Sequence, residues 1–69
     1  MLGYLIKERL RNVGITQKYL SEKTKITPQT LNAMLNDKRR IEATEYFKIC
    51  EALGLKVDYF KEQSENQTT

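Results

Sequence analysis

Histidine and tryptophan are absent from this sequence, and cysteine and proline occur once each, as Cys50 and Pro28. A lone thiol and no imidazole leave neither the ligand set of a zinc site nor a partner for an internal disulfide. No nucleophile stands beside a base and no glycine-rich phosphate loop occurs, so enzyme activity, a cofactor and a metal are not expected. Apolar runs are far too short to cross a bilayer, and the opening residues lack a signal-peptide pattern. The chain has 69 residues, enough for one small domain. With no covalent or metal staple its stability must come from apolar burial. Sustained period-two alternation is also missing, which argues against strands and for a helical bundle. Cys50 is expected to be small core filler, and an unpaired thiol fits a reducing, cytoplasmic (nucleoid-associated) location.

Helical spacing accounts for most of what is present. Leu2, Ile6, Leu10 and Val13 form one stripe, broadened by Leu5, and Gly14 suits the left-handed residue that ends such a helix. The segments "ITQKYL" (15–20) and "ITPQTL" (26–31) share the frame I-T-x-x-x-L, eleven residues apart. In each, Thr16 or Thr27 can cap a helix, while Ile15 with Leu20 and Ile26 with Leu31 form the flanking apolar staple. Pro28 falls at the first helical position, where its missing N–H costs nothing. Two short helices joined by about three residues make a helix-turn-helix. A fourth helix is predicted over 43–53, with Phe47, Cys50 and Leu53 inward, Tyr46 and Ile49 beside them, and Gly54 as its stop. "LKVDYF" (55–60) reads as a short closing helix with Val57 and Phe60 in the core. The domain is expected to span 1–62, and 63–69 to be a disordered polar tail.

Charge is uneven along the chain. Residues 1–40 hold nine Lys and Arg against three acids, whereas 41–69 hold three Lys against six acids. A basic front suits a polyanionic partner. Within it, "ITPQTLNAMLN" (26–36) carries no charge at all. On a helix over 28–36, Leu31, Met34 and Leu35 form the buried side and Gln29, Asn32, Ala33 and Asn36 face outward. Amides on such a face can pair with base edges in the major groove, Gln or Asn with adenine, and a small apolar group can meet a thymine methyl. Lys18, Lys25, Lys38, Arg39 and Arg40 flank the two helices, where phosphates would pass, and Gln17 at a helix start could join them.

With these features the chain resembles the phage Cro/repressor-type helix-turn-helix family, also described as the xenobiotic-response-element type. The matching frame is "TQKYLSEKTKITPQTLNAMLNDKRR" followed by "FKICEALGL", so the likeness covers nearly everything to Phe60. The resemblance implies an all-α, compact, five-helix, lambda-repressor-like DNA-binding domain whose third helix enters the major groove. By position it implies base reading by Thr27, Gln29, Thr30, Asn32 and Ala33. Backbone contact is implied for Gln17, Asn36 and the basic loop after it. Lys25 and Asp37 stand where relatives carry glycine, so both are expected at positive φ, costing about 1 kcal/mol each. Leu10 and Leu35 occupy the places of a buried Arg–Glu pair, an exchange that is often neutral or stabilising, and are expected to meet in the core.

The expected function is that of a sequence-specific double-stranded DNA-binding transcriptional regulator, a bacterial or phage repressor. It would act as a homodimer at least on DNA, because one helix reads only a few base pairs. The alternative is a protein-interaction module or antitoxin-like partner on the same fold.

Overall fold

Thr16 and Thr27 each begin a helix, as their spacing predicts. Thr16 accepts the Tyr19 N–H and Thr27 accepts the Thr30 N–H. The structure, a computed structural model, describes residues 1–61. Helix α1 runs Leu2–Val13, α2 Gln17–Thr24, α3 Pro28–Leu35 and α4 Ala43–Leu53. Gly14 and Gly54 stop α1 and α4 in the left-handed region, at φ 74° and 68°. In both stops the following backbone N–H closes back on the helix, Ile15 on Leu10 and Leu55 on Cys50, each at 2.9 Å. The loop into α4 is closed by a reciprocal box in which Glu42 and Glu45 accept each other's backbone N–H groups.

The core gathers one stripe from each helix. Leu5, Ile6 and Leu10 come from α1, Leu20 from α2, Leu31, Met34 and Leu35 from α3, and Ile49 and Cys50 from α4; Phe60 seals the end. Helices α1 and α2 both pack on α3, and α4 lies against α2. Leu10 and Leu35 are 3% and 1% exposed, so the paired apolar exchange puts no charge inside. Burying each such side chain contributes about 1.5–3 kcal/mol, and cores of this size depend on it.

Four expectations need correction. Phe47 is half exposed, not inward. At about 100° per residue the buried stripe of α4 centres on Tyr46, Ile49, Cys50 and Leu53, and Phe47 sits roughly 110° from its middle. Val57 is likewise exposed at 54% and does not close the core. It lies in a turn at 57–58, and helical structure begins only at 59–61, so the closing helix starts later than 55–60. Phe60 does close the core, edge-on to Tyr59 and Tyr46 at 5.0 and 6.3 Å between ring centres. Arg9 holds that end from α1, stacking on the Tyr59 ring at 5.3 Å. Finally, Val13 is exposed at the end of the α1 stripe. The tail expected over 63–69 lies outside the described residues.

Candidate nucleic-acid interface

The turn between α2 and α3 is held by side chains of α2. Lys25 adopts φ 65°, the positive value its place in the turn predicted. Its N–H reaches the Ser21 carbonyl at 2.9 Å. Buried Ser21 donates its hydroxyl to the Ile26 carbonyl, and buried Thr24 donates to the Leu20 carbonyl at 2.7 Å. The Thr24 oxygen in turn accepts the Ile26 N–H at 3.3 Å. These bonds satisfy the backbone groups that the chain reversal would otherwise bury unpaired. They also offset the strain of a non-glycine residue in the left-handed region. Ser21 and Thr24 therefore fix how α3 leaves α2, a role that their place in a polar run does not announce.

Helix α3 buries Leu31, Met34 and Leu35 and turns its other side outward. Gln29 and Asn32 are exposed, and Thr30 and Ala33 are half-buried beside them. The uncharged face expected from the sequence is thus on the surface. Its members are not equally available. Thr27 is occupied by capping, and also donates its hydroxyl to Thr30 Oγ1 at 3.0 Å. Asn36 follows the end of α3 as its cap, one residue beyond the helix. Its amide donates to the Asn32 carbonyl at 2.9 Å and to Asn32 Oδ1 at 3.2 Å. Its own oxygen accepts from Lys7 Nζ at 2.9 Å.

The basic loop after α3 is fastened at both ends. Asp37 takes φ 57°, and its carboxylate accepts the Gly3 N–H at 3.0 Å and the Tyr4 N–H at 3.2 Å. Helix α1 has no side-chain cap of its own; Asp37 supplies it from across the molecule. The Met1 ammonium at 2.7 Å chiefly, helped by those two N–H groups, holds the Asp37 carboxyl below its ordinary range against the opposing effect of burial. Close approach requires a glycine. A Cβ at Gly3 would lie 2.0 Å from the Met34 carbonyl oxygen and 2.9 Å from Asp37 Oδ1. At the other end Arg39 forms a two-pronged pair with Glu45 at 2.9 and 3.0 Å. The pair raises the Arg39 value and lowers that of Glu45, which also accepts the Glu42 N–H.

Of the residues expected to touch a backbone, Lys18, Lys25, Lys38 and Arg40 are exposed at the borders of α2 and α3, and Gln17 is half-buried at the first position of α2. Arg39 is exposed too, but its guanidinium is engaged by Glu45 and by the Arg40 carbonyl. Gly3, Lys7, Asp37 and Glu45 were not singled out from sequence as contributors to the site. A glycine in the first turn of a helix and an aspartate at a left-handed position are the signals that could have flagged two of them. Among the described residues no cluster of acidic or thiol side chains is arranged to hold a metal ion.

Comparison with known proteins agrees with this geometry. A family model described as helix-turn-helix matches residues 6–60. No curated protein and no solved structure matches the chain at a significant level.

Proposed function

The chain belongs to that helix-turn-helix family, a membership that points to DNA-binding regulation in general, and on this premise we propose a sequence-specific repressor of the Cro/repressor kind. The observation that carries the reading is the exposed, uncharged face of α3, with Gln29 and Asn32 outermost and cations at its borders. Amides on such a face match the donors and acceptors of base edges in the major groove. Thr30 and Ala33 flank them, Ala33 suited to a thymine methyl, while Thr27 sets the helix start. Lys18, Lys25, Lys38 and Arg40 neutralise phosphates, and Gln17 presents the start of α2 to the same strand.

One α3 spans only a few base pairs, so the protein acts as a homodimer on a near-palindromic operator with half-sites roughly 34 Å apart. Val57 and Phe47, both exposed apolar side chains on the α4 and C-terminal side, are the natural contact between copies. Repression follows from occupying a promoter.

A salt titration of duplex binding tests the reading. At about −0.9 for each phosphate neutralised, Lys18, Lys25, Lys38 and Arg40 give each domain a slope of log affinity against log salt of about −3.6 and a homodimer about twice that, hence a loss on the order of ten-thousandfold between about 50 and 200 mM. Absence of duplex binding at low salt would instead favour a protein-interaction module.

A further inference from the structure

Lys7 lies on α1 and not on the reading helix, yet it is wired to its face. Its ammonium is 2.9 Å from Asn36 Oδ1. An ammonium has hydrogens to give and no lone pair to accept with, so it dictates which end of the Asn36 amide it faces. The oxygen turns to Lys7, and the Asn36 nitrogen is left to point back along α3. There it donates to the Asn32 carbonyl at 2.9 Å and to Asn32 Oδ1 at 3.2 Å. The oxygen of the exposed Asn32 amide is thereby engaged by a neighbouring surface side chain, and its NH2 end is the freer one.

An unconstrained asparagine offers adenine both a donor and an acceptor. One whose oxygen already accepts a bond keeps one lone pair, and its NH2 becomes the more available group. Guanine presents two acceptors, N7 and O6, on its major-groove edge, whereas adenine presents one acceptor beside an N6 donor. Accordingly we propose that Lys7 is a specificity-determining residue: acting through Asn36, it polarises the Asn32 amide as a donor and so selects guanine over adenine at the base that Asn32 reads. Hydrogen bonds in such a chain strengthen one another, and the charge at Lys7 anchors its direction. The inference rests on the proposal that α3 reads duplex DNA.

Selection of bound duplexes from a random pool, with the full chain and its variants, tests it. Asn32→Ala identifies the base position, as the one whose preference disappears. At that position the wild type is expected to enrich guanine over adenine. Lys7→Met, which keeps the aliphatic stem and removes the donor, is expected to lower that ratio about tenfold and leave the other positions unchanged. Lys7→Glu sets a carboxylate against Asn36 Oδ1, two acceptors that repel, while the Asn32 carbonyl still holds the Asn36 nitrogen. The link is lost, and the guanine-to-adenine ratio is expected to fall at least as far as in Lys7→Met, whereas Lys7→Arg, which keeps a donor, is expected to retain it. A mere packing role for Lys7 predicts no change confined to this one position. Adenine at the Asn32-dependent position in wild type would overturn the proposal. So would a guanine-to-adenine ratio unchanged in Lys7→Met, or a uniform affinity loss on every duplex, which would make Lys7 a phosphate contact. If the wild type enriches no sequence at all, the reading of α3 fails and this inference with it, an outcome distinct from enrichment of the wrong base.

Discussion

Replacing Gly3 with alanine sets two effects of known sign against each other. In a helix, alanine is favoured over glycine by about 0.5–1 kcal/mol, so local propensity alone predicts stabilisation. Packing predicts the opposite. The added Cβ would sit 2.0 Å from the Met34 carbonyl oxygen, where contacts need at least ~3 Å, so α1 and the end of α3 must separate by about 1 Å. Overpacking of this kind costs about 1–3 kcal/mol. The same displacement lengthens the bonds from Gly3 and Tyr4 to Asp37, and a lost helix cap costs about 1 kcal/mol more. The net expectation is a loss of about 1–3 kcal/mol, a large part of what a domain of this size has. At roughly 4–8 °C per kcal/mol, Tm should fall by about 5 °C or more. Thermal and urea unfolding followed by helical circular dichroism measure it. A Gly3→Ala protein as stable as the parent, or more so, would show that α1 does not approach α3 this closely and that the Asp37 cap is not formed.

Two further perturbations follow from the fastened loop. Arg40→Ala is expected to make the salt slope of duplex binding shallower by about 0.9 for each copy, about 1.8 for the homodimer, while Arg39→Ala leaves it unchanged because that guanidinium is held by Glu45 and not by phosphate; equal slopes for the two variants would refute the assignment. Acid should destabilise the fold through Asp37 and Glu45. Both carboxyls are held below their ordinary values, so the unfolded chain takes up protons first; their contribution is complete above the ordinary carboxyl range and lost as pH falls through the lowered folded values. A Tm–pH profile should therefore drop on that side, and Asp37→Asn should flatten it; an unaltered profile in Asp37→Asn would count against the cap.

Much of this fold was legible because its punctuation is local. Thr16, Thr27, Pro28, Gly14 and Gly54 act on residues within one turn of themselves, so their spacing in sequence is nearly their geometry. The uncharged face of α3 was legible for a similar reason, since burial of Leu31, Met34 and Leu35 forces Gln29 and Asn32 outward. Phe47 was misplaced because one bulky apolar residue looks like core until the whole stripe of α4 is set on a wheel. What sequence did not reveal spans the fold. Asp37 caps a helix that begins more than thirty residues earlier, and Arg39 pairs across a loop with Glu45. Such contacts depend on how the helices approach. The same holds for Asn36, whose amide reads as a phosphate contact until Lys7 is brought beside it.

The central claim, that the outward amides of α3 discriminate between bases, meets its most direct test in Gln29→Ala. Binding sites selected from random duplexes by the parent and by this variant should differ at one symmetry-related position in each half-site, with a preference of about 1–3 kcal/mol lost there and the remaining positions intact. Identical relative affinities for the two proteins across the whole pool would contradict it.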